Sequence, residues 1–194
     1  MKKIACVAIV LLFSGCKKEA EPSPFWGTVS VVLNGQAWIP PGWGVQIAGS
    51  KTLWINSLNE PPCNPDVVNF EIHKQNPDGY LREQIAVGKI PPIIGTYPVE
   101  VMRNCNVSTA VGANYSLLGA DGDVLMDSYK VLESENNFVE VTSYHASTGE
   151  IKGNFNITFV FNTGFDRRKD VQSIPDTVRF TNGQFHTRIN LKRQ

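Results

Sequence analysis

Metal binding or acid–base chemistry in this 194-residue chain is first sought at His73, His145 and His186, at Asp121, Asp123 and Asp127, and at Glu133 and Glu135. The histidines are scattered, each on the polar phase of an alternating segment, so they read as surface residues and not as convergent zinc ligands. The aspartates suggest calcium, which takes several oxygens. After Asp123, however, Val124, Leu125 and Met126 supply none, and a turn followed by a strand explains the spacing better. Glu133 and Glu135 would share one strand face, whereas glycosidase carboxylates flank a cleft and differ in pKa. A solvated face accounts for that pair. No GxSxG elbow, phosphate loop or dinucleotide fingerprint is present. The expectation is therefore a chain without catalytic residues, metal or cofactor. An enzyme with a site dispersed over a β scaffold is the least favoured alternative.

The remaining chemistry is aromatic. Trp26, Trp38, Trp43 and Trp54 all lie in the first third of the chain, and Trp43 sits within Pro40-Pro41-Gly42-Trp43-Gly44. An indole in such a loop is harder to bury than one on a strand. If exposed, Trp43, with Trp38 and Trp54, would stack on sugar rings or anchor a protein partner. The plainer alternative has these rings covering the open end of a β-sandwich.

The elements that must position these residues are strands. Apolar and polar residues alternate between tight-turn pairs, with almost no helical period. Thr28 to Leu33 ends at Asn34-Gly35, a two-residue hairpin signal, and Gln36, Ala37 and Trp38 begin the return. Val68, Phe70 and Ile72 alternate with Asn69, Glu71 and His73. Asn76-Pro77-Asp78-Gly79 then turns the chain into Leu81 to Val87, where a short helix at 81–86 has little room between the flanking glycines and prolines. Asp121-Gly122 precedes a strand from Val124 to Leu132. The clearest strand is Ile151 to Phe161, with Ile151, Gly153, Phe155, Ile157, Phe159 and Phe161 on a core face and Lys152, Asn154, Asn156 and Thr158 on the other. Val178 and Phe180 set one phase and Phe185, Ile189 and Leu191 the opposite one. The shift falls at Asn182-Gly183, where a hairpin is preferred to a glycine bulge. Residues 164–173 read as an exposed charged loop. The expected fold is all-β with little or no helix: an antiparallel β-sandwich, or alternatively a barrel-like form.

At the N-terminus, Lys2 and Lys3 precede an apolar run from Ile4 to Phe13, then Ser14, Gly15 and Cys16. The run is shorter than the ~20 residues that span a bilayer and has the layout of a secretory signal. Phe13-Ser14-Gly15-Cys16 resembles a bacterial lipobox, with Phe13 where leucine is usual. The resemblance implies cleavage before Cys16, a diacylglycerol thioether on its sulfur and acylation of the new N-terminus, enough acyl chain to hold a domain at a membrane. Residues 1–15 are then the signal peptide, 16–25 a lipidated tether and 26–194 one all-β domain. Lys17, in place of the aspartate that retains enterobacterial lipoproteins in the inner membrane, points by analogy to the outer membrane, facing the periplasm or the surface. Of the four cysteines, Cys6 leaves with the signal and Cys16 is lipidated, so Cys63 and Cys105 remain. An oxidising envelope favours a Cys63–Cys105 disulfide over two free thiols or a metal site, adding about 4 kcal/mol in the chain-entropy picture. Losing Lys2 and Lys3 tips the balanced charge slightly acidic, so no basic field draws nucleic acid.

Val32-Leu33-Asn34-Gly35-Gln36-Ala37-Trp38, Gly95-Thr96-Tyr97-Pro98-Val99, Ile151 to Phe159 and Val178 to Phe185 together resemble an uncharacterised family of Bacteroidetes lipoproteins. The short charged string after Cys16 also resembles the surface-export signals of such proteins. The resemblance implies a lipid-anchored β-sandwich without an established activity, and it transfers no catalytic residue. The expected role is a binding or interaction module that meets the membrane through its lipid and presents loops to a glycan or protein partner. A structural envelope component without a ligand is the alternative.

Overall fold

The computed structural model describes residues 25–51, 66–105, 107–164 and 174–189. The signal segment, nearly all of the tether, Cys16, Trp54, Cys63 and most of the 164–173 loop lie outside these residues. The described residues contain no helix and form β1 (Gly27–Leu33), β2 (Gln36–Ala37), β3 (Gly44–Ser50), β4 (Val68–Gln75), β5 (Leu81–Ile90), β6 (Gly95–Val101), β7 (Val111–Leu118), β8 (Leu125–Val131), β9 (Phe138–His145), β10 (Glu150–Phe161) and β11 (Thr177–Arg188). The fold is all-β, as the alternation requires, in one large mixed sheet. Its strands run β2-β1-β11-β10-β9-β6-β7-β5-β4-β3, with β8 pairing both β10 and β7. Two isolated bridges, Phe25 with Ala48 and Gly49 with Ile189, bring the region around β3 against that around β1 and β11. Residues 81–86 are strand.

Local sequence explains most of these elements. Asn34 and Gly35 both adopt positive φ, 49° and 82°, as a type I′ hairpin turn demands. After β4, Asn76 closes its turn by accepting the Tyr80 N–H on its side chain at 2.8 Å. Strand β10 is the spine. At 12 residues it is about 40 Å long, so its first half pairs with β9 and its last three residues with β8.

Three expectations need correction. The sheet is not purely antiparallel, because β6 and β7 run parallel, with Val99 beside Val111 and Val101 beside Ala113. Lys89 supports the 102–110 connection between them by donating to the carbonyls of Arg103 and Ser108 at 3.0 and 2.7 Å. Thr158 is buried, since the connection after β8 folds over it: Leu132 N–H donates to the Thr158 carbonyl, and Thr158 N–H to the Asn137 side chain at 2.7 Å. The phase shift at Asn182-Gly183 is absorbed by a bulge and not by a hairpin. Gly183 pairs with Phe155 and Phe180 with Ile157, so two residues of β11 face Asn156 alone. Asn182 holds φ at 53° and donates its N–H to the Asn156 side chain at 2.8 Å. Asparagine is among the few residues that enter this left-handed region at small cost. An Asn-Gly pair serves a hairpin or a bulge equally well. Here β11 continues against β10 and β1 on both sides of it, and the chain does not reverse.

The bulge also aligns two reciprocal contacts in the core. Gly153 lies opposite Phe185 and Gly183 opposite Phe155. A methyl group on Gly183 would come within 2.6 Å of the Phe155 ring, and one on Gly153 within 2.6 Å of the Phe185 ring and closer still to the Glu140 carbonyl oxygen. Each glycine thus makes room for the phenylalanine across from it, and Phe70 packs on both rings at 6.3 and 4.7 Å between centroids. Gly183→Ala is expected to lower stability by about 1–3 kcal/mol through overpacking, read by urea denaturation. Adding Phe155→Leu should recover part of that loss, because the obstructing atoms all belong to the Phe155 ring.

Candidate polar groove and buried ion pair

The outward phase of β1, β11, β10 and β9 builds the candidate binding face. Register places Thr28, His186, Lys152 and Ser143 in one row across the four strands, and Ser30, Gln184, Asn154 and Glu140 in the next. Six of these residues, Thr28, Ser30, Lys152, Asn154, Gln184 and His186, line a shallow groove of about 310 Å³. Thr142, the extra residue where β9 slips register against β10, adds an exposed hydroxyl.

The groove has fixed and free polar groups. Asn154 donates to Glu140 at 2.8 Å. His186 Nε2 lies 2.6 Å from Glu150 Oε1, and Lys152 Nζ lies 3.3 Å from the same oxygen. The His186 hydrogen bond, followed by that from Lys152, holds the Glu150 carboxyl below its usual pKa range. That carboxylate therefore remains ionised through neutral pH and orients the imidazole. Thr28, Ser30, Thr142 and Gln184 make no side-chain hydrogen bond among the described residues and can donate or accept toward a ligand. At one end stands Trp26, 40% exposed. Its indole meets His186 edge-on at 5.0 Å, and the Arg188 guanidinium lies 4.6 Å from its ring centre.

A second polar constellation is internal. Lys74 and Glu83 face each other across β4 and β5 and form an ion pair at 2.7 Å, with side chains 8% and 7% exposed. Glu83 also accepts from Trp38 Nε1 at 2.5 Å and from the Tyr115 hydroxyl at 2.6 Å. Burial, and then the adjacent Glu83 charge, raise the Tyr115 pKa well above the usual phenol range, so it stays a neutral donor. The carboxylate is satisfied on several sides, the condition under which a buried charge is tolerated. The Lys74 ammonium lies 5.5 Å from the Trp38 ring and 4.9 Å from the Trp43 ring, within cation–π range.

The sequence candidates distribute as follows. Trp38 is 2% exposed, so it offers no face to a ligand; its N–H is held by Glu83 and its ring packs edge-on against Phe180 at 5.3 Å. Trp43 is half-buried over Lys74. Trp54 lies outside the described residues. Cys105 is half-buried in the connection after β6, and Cys63 lies outside the described residues. His73 pairs with Glu71 at 3.2 Å, and His145 is exposed at the end of β9. Asp127 points into the core while Asp121 and Asp123 sit in an exposed turn, so the three do not converge. Among the described residues no group of three or more histidine, cysteine or carboxylate side chains is placed to hold a metal. Glu133 and Glu135 occupy the connection after β8, not a strand face; each pairs with a different arginine, Glu133 with Arg103 at 3.2 Å and Glu135 with Arg179 at 3.0 Å.

The groove residues and the Lys74–Glu83 pair are the groups that motif reading passes over. A signal for the pair exists, because Lys74 continues the buried phase of Phe70 and Ile72, and Glu83 that of Ile85 and Val87. No family model, curated protein or solved structure matches the chain.

Glu83→Ala leaves the Lys74 ammonium buried without its partner and removes the acceptor for Trp38 and Tyr115. The expected loss is about 3–5 kcal/mol, measured by chemical denaturation. Lys74→Met combined with Glu83→Leu should cost markedly less, since it leaves no unpaired charge.

Proposed function

We propose that this chain is a lipid-anchored envelope protein whose β domain binds a polar ligand of saccharide type along the β1–β11–β10–β9 face. The observation that carries the reading is the groove: hydroxyl, amide, imidazole and ammonium groups from two rows of the sheet, with a partly exposed indole against His186. Saccharides present hydroxyls to such groups and apolar ring faces to aromatic side chains. Thr28, Ser30 and Gln184 offer free hydrogen-bonding atoms, and Asn154 and His186 are held in place by carboxylates. Trp26 replaces Trp43 as the leading aromatic candidate, because Trp43 is drawn in over Lys74. The lipobox-like Phe13-Ser14-Gly15-Cys16 supports outer-membrane anchoring through Cys16, and the likeness to Bacteroidetes lipoproteins agrees with it. The cysteine count supports pairing of Cys63 with Cys105.

Binding is tested with the intact protein on a glycan array, followed by calorimetry on the best ligand. Asn154→Ala and Gln184→Ala should each weaken binding about tenfold, the effect of roughly 1.4 kcal/mol, and Trp26→Ala by at least as much. Trp43→Ala should leave affinity unchanged. Equal binding by the groove variants and wild type would reject the groove as the site. Intact mass of protein from the native envelope checks the covalent reading: residues 1–15 absent, acyl chains added at Cys16, and a mass that rises by two units on reduction of Cys63–Cys105. An unmodified Cys16 would remove the anchor, and an unchanged mass on reduction would remove the bridge.

A further inference from the structure

The described residues expose seven large apolar side chains, and two of the most exposed are adjacent: Ile93 at 67% and Ile94 at 70%. Single exposed aliphatic residues are ordinary, but these two form the tip of Pro91-Pro92-Ile93-Ile94, the connection between β5 and β6. Two of the four residues of this tip carry no backbone donor. Pro91 and Pro92 have no N–H to leave unpaired, and the Ile93 carbonyl accepts the Tyr97 hydroxyl at 2.8 Å. No charged side chain occurs between Lys89 and Glu100, and Lys89 is turned inward onto the Arg103 and Ser108 carbonyls. Such a segment leaves water at lower cost than a charged loop with all its backbone donors, because charges and unsatisfied backbone groups are what make irregular chain expensive in lipid.

Register fixes where the tip lies. Phe25 bridges to Ala48, two residues before Ser50 ends β3; Ser50 faces Asn69, next to Val68; and Val68 faces Ile90, the residue before Pro91. Phe25, the first described residue, therefore lies toward the same pole of the sheet as the Ile93-Ile94 tip. The opposite pole carries the polar Asn76–Gly79 turn, beside Tyr80, Val124 and Leu125, which are apolar but less exposed than Ile93 and Ile94. Only residues 17–24 separate Cys16 from Phe25, a reach of at most about 30 Å. Lipidation at Cys16 would hold this pole close to a bilayer.

We propose that the Pro91–Ile94 loop is a lipid-contacting wedge: Ile93 and Ile94 enter the interfacial region of the bilayer and, with the lipid anchor, give the domain two points of attachment and a fixed orientation. The inference rests on the anchoring read at Cys16, and it commits to a phospholipid surface as the occupant, not a protein or a second copy.

The test uses the full lipidated chain reconstituted in phosphatidylethanolamine–phosphatidylglycerol vesicles that contain a phospholipid with a brominated acyl chain. An environment-sensitive fluorophore is attached at Ile94→Cys or, as a control at the far pole, at Asp78→Cys, and flotation is measured on the same samples. The expected result is flotation of both proteins, with a blue shift and loss of fluorescence at position 94 alone. Flotation with no more quenching at 94 than at 78 overturns the wedge and leaves the anchor standing. Failure to float overturns both. A blue shift at 94 without bromine quenching, accompanied by dimers on crosslinking, overturns the wedge in favour of a second copy.

Discussion

The constraint on which core and surface both depend is the bulge at Asn182. Side chains alternate with a strict period of two along a strand, so β11 without an extra residue could not place both of its ends correctly. With Val178 and Phe180 inside, the unbroken phase would turn Gln184 and His186 inward and Phe185 outward. The inserted residue reverses this. Phe185 then meets Gly153, Gly183 receives Phe155, and Gln184 and His186 rise onto the face that lines the groove. The bulge is fixed by one hydrogen bond, donated by the Asn182 N–H to the Asn156 side chain, and by the tolerance of asparagine for positive φ. Gly183 is consequently required for side-chain space, and Gly153 for the Phe185 ring and for the close approach of the Glu140 carbonyl; neither has a positive φ.

Much of the architecture was legible because half-buried strands write their two faces directly into the sequence. The alternations over Ile151 to Phe161 and Val68 to His73 and the Asn34-Gly35 turn are local patterns, and all three are present. What escaped was whatever depends on a partner distant in sequence. Asn182-Gly183 looks like a hairpin until β10 and β1 are seen pairing with β11 on both sides of it. The parallel pairing of β6 and β7 has no local signature, because a strand carries the same alternation whichever way its neighbour runs. Thr158 follows the polar phase and is buried only because the connection after β8 closes over it.

The candidate site divides in the same way. That His186 belongs to a wet face was readable; that it meets Glu150 from the neighbouring strand depended on the pairing of β10 with β11. The tryptophans show where loop composition misleads. Pro40-Pro41-Gly42 suggested an exposed Trp43, yet a buried cation in β4 draws that ring over itself. Trp26, with no special neighbours in sequence, is the most exposed of the described tryptophans. The buried pair itself was visible in the phase of Lys74 and Glu83, which motif reading ignores because it searches among polar runs.

Lys74 and Glu83 have a structural use that apolar residues would not supply. A slip of one residue between β4 and β5 would offset the two charges and turn one of them away from its partner, at the cost of an uncompensated buried ion. Apolar residues at the same positions would tolerate the slip more readily. The pair lies near the Asn76–Gly79 turn, at the pole away from Phe25. There it ties β4 and β5 to Trp38 from the first hairpin and Tyr115 from β7. The reciprocal glycine–phenylalanine contacts serve the same purpose for β10 and β11. Register is thus held in the two halves of the sheet by different chemistry, one electrostatic and one steric. The outward rows of the groove depend on the steric half, because a shift of β11 against β10 would separate His186 from Glu150 and Gln184 from Asn154.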